Sequence, residues 1–318
     1  GLPWLIGFTI RALRRGGWRD PAAFALITLT VGGINATSLL LVLVGPAMWV
    51  AYALFAEREV TWGRVLAVGA RIGSLTLISS LWWMAGLMLQ GNYGIPILDY
   101  TETYKVVATA STAPEVMRGL GYWFFYGSDS LGPWISGAVT MVQNPLVLTV
   151  SFLLPGLVVL SALFTRFRYR AYFVMMVVVG ALISIASHPY ESPTPAGAIF
   201  KAATGTDAGL AFRSTPRAIP LLALGGAVLL AAGISAVATV RPRLRVPVAL
   251  AVVALIGINQ APLFQGRMVD NNLQRSENIP EYWNEVAARL DAGDRDTRVL
   301  AMPGIDFASY TWGNTVDP

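Results

Sequence analysis

Long apolar runs alternating with short arginine-bearing connectors leave this chain few architectures to fold into. Ala36 to Phe55 and Pro145 to Thr165 carry no charged residue, and Val65 to Leu89 carries only Arg71. Roughly 20 apolar residues are what a helix needs to cross a bilayer, in which every backbone N–H and C=O must be satisfied within the segment. The connectors hold Arg11, Arg14, Arg15 and Arg19, then Arg58 with Arg64, then Arg166, Arg168 and Arg170, then Arg241, Arg243 and Arg245. Short basic loops of this kind mark a cytoplasmic side. Charged residues make up 13% of the chain, against about 25% in an ordinary soluble domain. The expected fold is an all-α polytopic membrane protein, multi-pass in the plasma membrane with the lipid bilayer as its solvent.

The net charge of +5 sits in those connectors, with no aromatic residues interleaved on a polar surface, so nucleic acid is excluded as a partner. The absence of cysteine from the chain excludes disulfides, thiolate metal sites and cysteine nucleophiles. The chain opens at Gly1 without a Met and stops at Pro318 inside an unfinished polar segment, as a piece of a longer protein would.

Leu2 to Ile10 reads as the last turns of a span. Pro21 to Ile34, broken by Gly32-Gly33, is too short for a simple crossing and reads as a short or re-entrant helix that pairs out-and-back with Ala36 to Phe55. Val65 to Leu89 spans, and a polar excursion follows from Gly91 to about Gln143. Within it, Thr112 to Tyr126 has an N-cap, a first-turn proline and an aromatic end that suit a helix lying on the bilayer, although Gly119 and Gly121 weaken it. Pro145 to Thr165 and Ala171 to Ser187 span, a second excursion runs from His188 to about Thr215, and Pro216 to Val240 and Val246 to Phe264 cross again. Residues 1–264 are the expected transmembrane region, and 265–318 the expected start of an extracytoplasmic soluble region. In that region Tyr282 to Leu290 reads as an amphipathic helix and Arg298 to Met302 as a strand.

With the basic connectors inside, both excursions fall on the outer face, and the candidate chemistry gathers there. Asp99 and Glu102 are three apart and share a face on a helical turn; near a membrane a carboxylate serves as general base, and the same spacing fits two solvated loop charges. Arg213 and Arg217 bracket Pro216 at the start of a span, where a helix N-terminus also favours anions; they fit a held lipid phosphate or ordinary headgroup contact equally. His188, with Tyr190 and Glu191 close behind it and Lys201 in the same excursion, suits phosphate binding, proton shuttling or a hydrogen-bonded interface role. One histidine and one acid make no metal site. Trp82, Trp83, Trp123 and Trp134 read as interface anchors, and the pair Gly225-Gly226 as a close helix contact.

The order of GGINATSLL (Gly32 to Leu40), SLWWMAGL (Ser80 to Leu87), ILDYTE (Ile97 to Glu102), RSTPR (Arg213 to Arg217) and MPGIDFASYTWGNTVDP (Met302 to Pro318) resembles the large mycobacterial arabinofuranosyltransferase D family. The resemblance runs along essentially the whole chain. It implies a multispanning glycosyltransferase of the GT-C type that moves arabinofuranose from a polyprenyl-phosphate sugar donor to a polysaccharide acceptor, the cell-wall arabinan. It implies further that the family's catalytic aspartate, in the first extracytoplasmic loop, lies upstream of Gly1. Glu102 is then the acid/base or acceptor-positioning group with Asp99 in support, and Arg213 and Arg217 stabilise the leaving phosphate, with His188, Tyr190 and Lys201 as further substrate-binding candidates. No complete metal site is visible, and the cofactor is open, a divalent cation included. The basic turns also leave room for a cytoplasmic protein partner. The competing reading is a lipid or polysaccharide transporter or flippase, which would carry ionisable groups near the midplane of its spans.

Overall fold

The computed structural model describes residues 1–32, 35–94, 101–129, 132–186, 188–268, 280–293, 299, 309–310 and 313–314. Asp99, Gly33, most of the expected strand over 298–302 and most of the C-terminal motif lie outside the described residues. The chain divides into two compact units, one of Gly1–Trp123 with Thr149–Ile258 and one of Phe124–Leu148 with Asn259–Pro318.

In the first unit, α1 (Leu2–Arg15) starts with a proline in its first turn and ends at Gly16, whose φ of 74° is open to glycine at no steric cost. The helix α2 (Arg19–Gly32) begins beside it, where Asp20 pairs with Arg11 at 2.9 Å. Helix α3 (Ala36–Ala51) is capped by the side chain of Asn35, which accepts from the Ser38 N–H, and continues as a π-helical turn over Tyr52–Ala56. Helices α2 and α3 pack against each other. Helix α4 (Trp62–Tyr93), capped by Thr61, has 32 residues and so runs about 48 Å, more than a bilayer core is thick.

The first excursion contributes α5 (Tyr104–Ala110) and α6 (Ala113–Met117), capped by Thr103 and Thr112. The helix expected over Thr112 to Tyr126 is not continuous: Gly119 and Gly121 take φ of 79° and 97°, which breaks it after α6, and only a 3-10 turn, Trp123–Tyr126, follows. Helices α8 (Pro145–Phe164), α9 (Arg170–Ile185) and α12 (Ile219–Val240) complete the bundle with α13 (Arg245–Asn259). The last span ends at Asn259 rather than Phe264, because Gln260 separates it from a four-residue helix, α14 (Ala261–Phe264). Between α9 and α12 lie α10 (Pro195–Thr204) and α11 (Asp207–Leu210).

Helix α9, at 16 residues too short to cross by length alone, carries part of the core: Tyr172 and Met176 are fully buried, and the Tyr172 hydroxyl donates to Gly45 O at 3.0 Å. It packs on α12 through glycines, as the Gly225-Gly226 pair leads one to expect. A Cβ on Gly225 would come within 2.8 Å of Phe173 O, and one on Gly180 within 2.7 Å of Leu222 N. Five helical segments are long and apolar enough to cross a membrane: Ala36–Ala56, Trp62–Tyr93, Pro145–Phe164, Thr215–Val240 and Pro242–Asn259. The protein is a multi-pass, all-helical membrane protein.

Acidic residues organise one end of this unit. Glu59 binds Arg14 and Arg168, Glu57 accepts from Tyr52 and pairs with Arg168 at 3.5 Å, and Arg64 donates to Leu13 O at 2.9 Å. The first three basic connectors are thus fastened to one another, a structural role beyond topology. Arg71, the charge inside an apolar run, reaches the same end: its guanidinium donates to Gly17 O at 3.3 Å and lies over Trp18.

In the second unit a two-residue hairpin of β1 (Ser128–Asp129) and β2 (Gly132–Pro133) leads to α7 (Ser136–Gln143), whose Gly137 N–H donates to Arg267 O at 2.7 Å. Trp134 packs on Phe124 at 5.0 Å, Trp83 of the first unit lies against Gly32, and Trp82 is exposed. The amphipathic helix near Tyr282 is present as α15 (Glu281–Asp291), and β3 (Ser309–Tyr310) pairs with β4 (Gly313–Asn314).

Candidate active site

At the end of the first unit away from the Glu57–Glu59 cluster, the two polar excursions close on each other and on the N-termini of α3 and α12. Glu102 lies just before the Thr103 cap that starts α5, and Arg213 just before the 3-10 turn Thr215–Ala218 that leads into α12. Their side chains meet although they are far apart in sequence. Arg213 Nε donates to Glu102 O at 2.7 Å, its Nη1 to Leu210 O at 3.0 Å and its Nη2 to Thr101 Oγ1, and Nη2 lies 3.5 Å from Glu102 Oε2. Ser214 Oγ donates to Glu102 Oε1 at 2.7 Å. The guanidinium and carboxylate are 6% and 11% exposed, so this is a buried, charge-balanced pair with both carboxylate oxygens engaged.

Arg217 is built differently. Its Nη1 donates to Asn35 Oδ1 at 3.2 Å and its Nη2 to the Tyr122 hydroxyl at 3.3 Å, with the guanidinium 5.8 Å from the Tyr122 ring centre. Both partners are neutral, and among the described residues no carboxylate pairs with it. Thr37 Oγ1 donates to Ala211 O at 3.1 Å, a further tie between the start of α3 and the segment before α12.

The remaining candidates form a neighbouring cluster around Tyr190. His188 Nδ1 donates to Ala108 O of α5 at 2.9 Å. Lys201 Nζ donates to Tyr190 O at 2.9 Å and sits 4.0 Å from its ring centre, and Tyr104 meets that ring edge-on. Lys105 pairs with Glu191 at 2.5 Å across the surface. Each ion holds the other charged: the bond to Lys105 and its charge keep Glu191 below the usual carboxylate range, and Glu191 raises Lys105 above the usual lysine range. His188 and Tyr190 therefore join α5 to the second excursion, with Lys201 held on Tyr190. Asp99 lies outside the described residues, and among those described no group of three His, Asp or Glu is placed to hold a metal.

Sequence reasoning missed Asn35, Tyr122, Ser214 and Thr101, and also Arg118. This arginine is buried, pairs with Glu115 at 2.5 Å and donates to Ser151 Oγ at 2.6 Å, which ties α6 to α8. The available signals were the cap-forming Asn35 before an apolar run and a tyrosine that opens an aromatic run directly after two glycines.

The sequence model described as alpha-(1->3)-arabinofuranosyltransferase, N-terminal GT-C domain, matches residues 2–318. The chain belongs to this family. Among curated relatives it is 27% identical over 343 residues to the alpha-(1->3)-arabinofuranosyltransferase of Mycobacterium tuberculosis, with 99% of this chain and 23% of that protein covered. To the enzyme of the same name from Mycolicibacterium smegmatis it is 25% identical over 337 residues, with the same coverage of 99% and 23%. The chain thus spans under a quarter of the length of these relatives. No solved structure matches it.

Proposed function

We propose that the protein of which this GT-C domain is part transfers arabinofuranose from a decaprenyl-phosphate donor to a cell-wall arabinan acceptor on the outer face of the plasma membrane. In this reading residues 1–264 form the membrane region, residues from 265 begin an extracytoplasmic soluble region, and the end bearing Glu102, Arg213 and Arg217 faces outward. The observation that carries it is the contrast between the two arginines. Arg213 is neutralised by Glu102, whereas Arg217 presents a half-buried positive charge held, among the described residues, by neutral groups, which suits a phosphate.

The reaction is a displacement at the anomeric carbon. The acceptor oxygen bonds to that carbon, the bond from carbon to the phosphate oxygen breaks with its electron pair, and the hydroxyl proton passes to a carboxylate. The lipid phosphate goes from one negative charge to two as it leaves, so a fixed cation beside it stabilises the transition state more than the ground state. Arg217 takes that role, with Arg213 in support. Glu102 positions the acceptor hydroxyl and Asp99 assists, while His188, Tyr190 and Lys201 shape the adjoining wall.

A transporter would need charge near the midplane, and Arg71 instead reaches one end of the bundle, which favours surface chemistry. Incubating the intact membrane protein with radiolabelled decaprenyl-phosphate arabinofuranose and an arabinan acceptor separates the readings. Transfer of label to acceptor is the expected result; movement of label across the bilayer without transfer supports a flippase and overturns the proposal, as does neither.

A further inference from the structure

We propose that Asn35 and Tyr122 are positioning residues that hold the Arg217 guanidinium for a lipid phosphate; this rests on the reading of Arg217 above and adds two residues to it. Three segments of chain meet at this point: the start of α3, the Gly119–Gly121 break after α6, and the turn that opens α12. Asn35 Oδ1 accepts from two donors at once, the Ser38 N–H at 2.8 Å and Arg217 Nη1 at 3.2 Å. Those two contacts fix which way the amide points, since its NH2 group would repel both donors. A single side chain therefore caps a membrane helix and anchors one arm of the guanidinium.

Tyr122 anchors the other arm. Its hydroxyl oxygen accepts from Arg217 Nη2 at 3.3 Å, which leaves its own O–H to donate to an anion beside the arginine. Its position follows from the backbone: Gly119 and Gly121, at φ of 79° and 97°, stop α6 and turn the chain so that Tyr122 reaches the start of α12. A carboxylate in either place would cancel the charge. Two neutral acceptors instead orient the fork and leave its charge available, which is what a site for a leaving phosphate dianion needs.

A plain structural role is separable, because Ser and Asp both cap helices as well as Asn does. Asn35→Ser keeps the cap and is too short to reach Arg217; Asn35→Asp keeps the cap and gives Arg217 a counter-ion; Tyr122→Phe removes one hydroxyl. In the full-length enzyme, inhibition by the product decaprenyl phosphate and the donor and acceptor KM are measured per folded molecule. Each variant, and Arg217→Gln, is expected to weaken decaprenyl phosphate binding about tenfold, as loss of a hydrogen bond in a charged site does, and to leave the acceptor KM unchanged. Asn35→Ser combined with Arg217→Gln is expected to be no weaker than Arg217→Gln alone. If Arg217→Gln binds the product normally, the phosphate reading of Arg217 falls and this inference with it. If Arg217→Gln weakens binding while Asn35→Ser, Asn35→Asp and Tyr122→Phe do not, or if the double variant is additive, this inference alone is overturned.

Discussion

Arg213 directs its Nε, Nη1 and Nη2 to Glu102, Leu210 and Thr101, all inside the fold, so its first contribution is to hold the two excursions together. Removing one partner of a buried ion pair leaves the other uncompensated. Glu102→Gln is therefore expected to destabilise the protein by about 3 kcal/mol, read as a lower melting temperature in detergent. Arg213→Gln introduced beside it should recover part of the loss, because the buried charge is then gone as well. Unchanged thermal stability of Glu102→Gln would mean that the pair does not hold the excursions. The Lys105–Glu191 clasp is fully accessible and answers to pH instead. Glu191 is depressed, so its stabilisation is present above the usual carboxylate range and disappears as pH falls through its lowered value. Lys105 is raised, so its part is present below the usual lysine range and disappears as pH rises through its raised value. The melting-temperature difference between wild type and Glu191→Gln should thus exist at neutral pH and vanish at both extremes.

At the scale of elements, the apolar runs were legible because a bilayer constrains length and hydropathy directly, and α3, α4, α8 and α12 follow them closely. Thr112 was legible as a cap for the same local reason. Where the expected helix over Thr112 to Tyr126 failed, two glycines in the left-handed region outweighed an apolar, aromatic stretch. The site was only half legible: Glu102, Arg213 and Arg217 stand out as charges in excursions, but their partners are neutral or lie over 100 residues away, and no local spacing encodes such a meeting. Helix contact, by contrast, can be tested at single glycines. A methyl on Gly225 or Gly180 would meet backbone atoms at 2.8 or 2.7 Å, which side-chain motion cannot relieve. Gly225→Ala and Gly180→Ala should each cost about 1–3 kcal/mol by forcing α9 and α12 apart. Gly257→Ala in α13, where nothing lies within 4 Å of the added carbon, serves as the control, expected to melt no lower than wild type in the same assay because alanine favours the helix.

For the whole molecule the question is which end of the first unit faces the cytoplasm. Glu57 and Glu59 bind Arg14 and Arg168 together, so three of the four basic connectors that the positive-inside rule counts are assembled at one end. Lys105, Glu191 and Lys201 cluster at the ends of helices that point the other way, since α9 begins at Arg170 beside the first group and stops at Ile185 just before His188. Arg243 lies in the turn between α12 and α13, at the end of α12 opposite Arg217. An all-helical bundle cannot reverse one loop without reversing its neighbours, so a few positions determine the orientation of the unit. The stretch from Gly1 to Pro318 has no cysteine, and in a full-length protein freed of any others, single cysteines at Glu191 and at Arg243 report on opposite ends. Intact cells treated with a membrane-impermeant maleimide should label Glu191→Cys and spare Arg243→Cys until the membrane is opened. The reverse pattern would put Arg217 on the cytoplasmic side, where the proposed transfer to cell-wall arabinan could not occur.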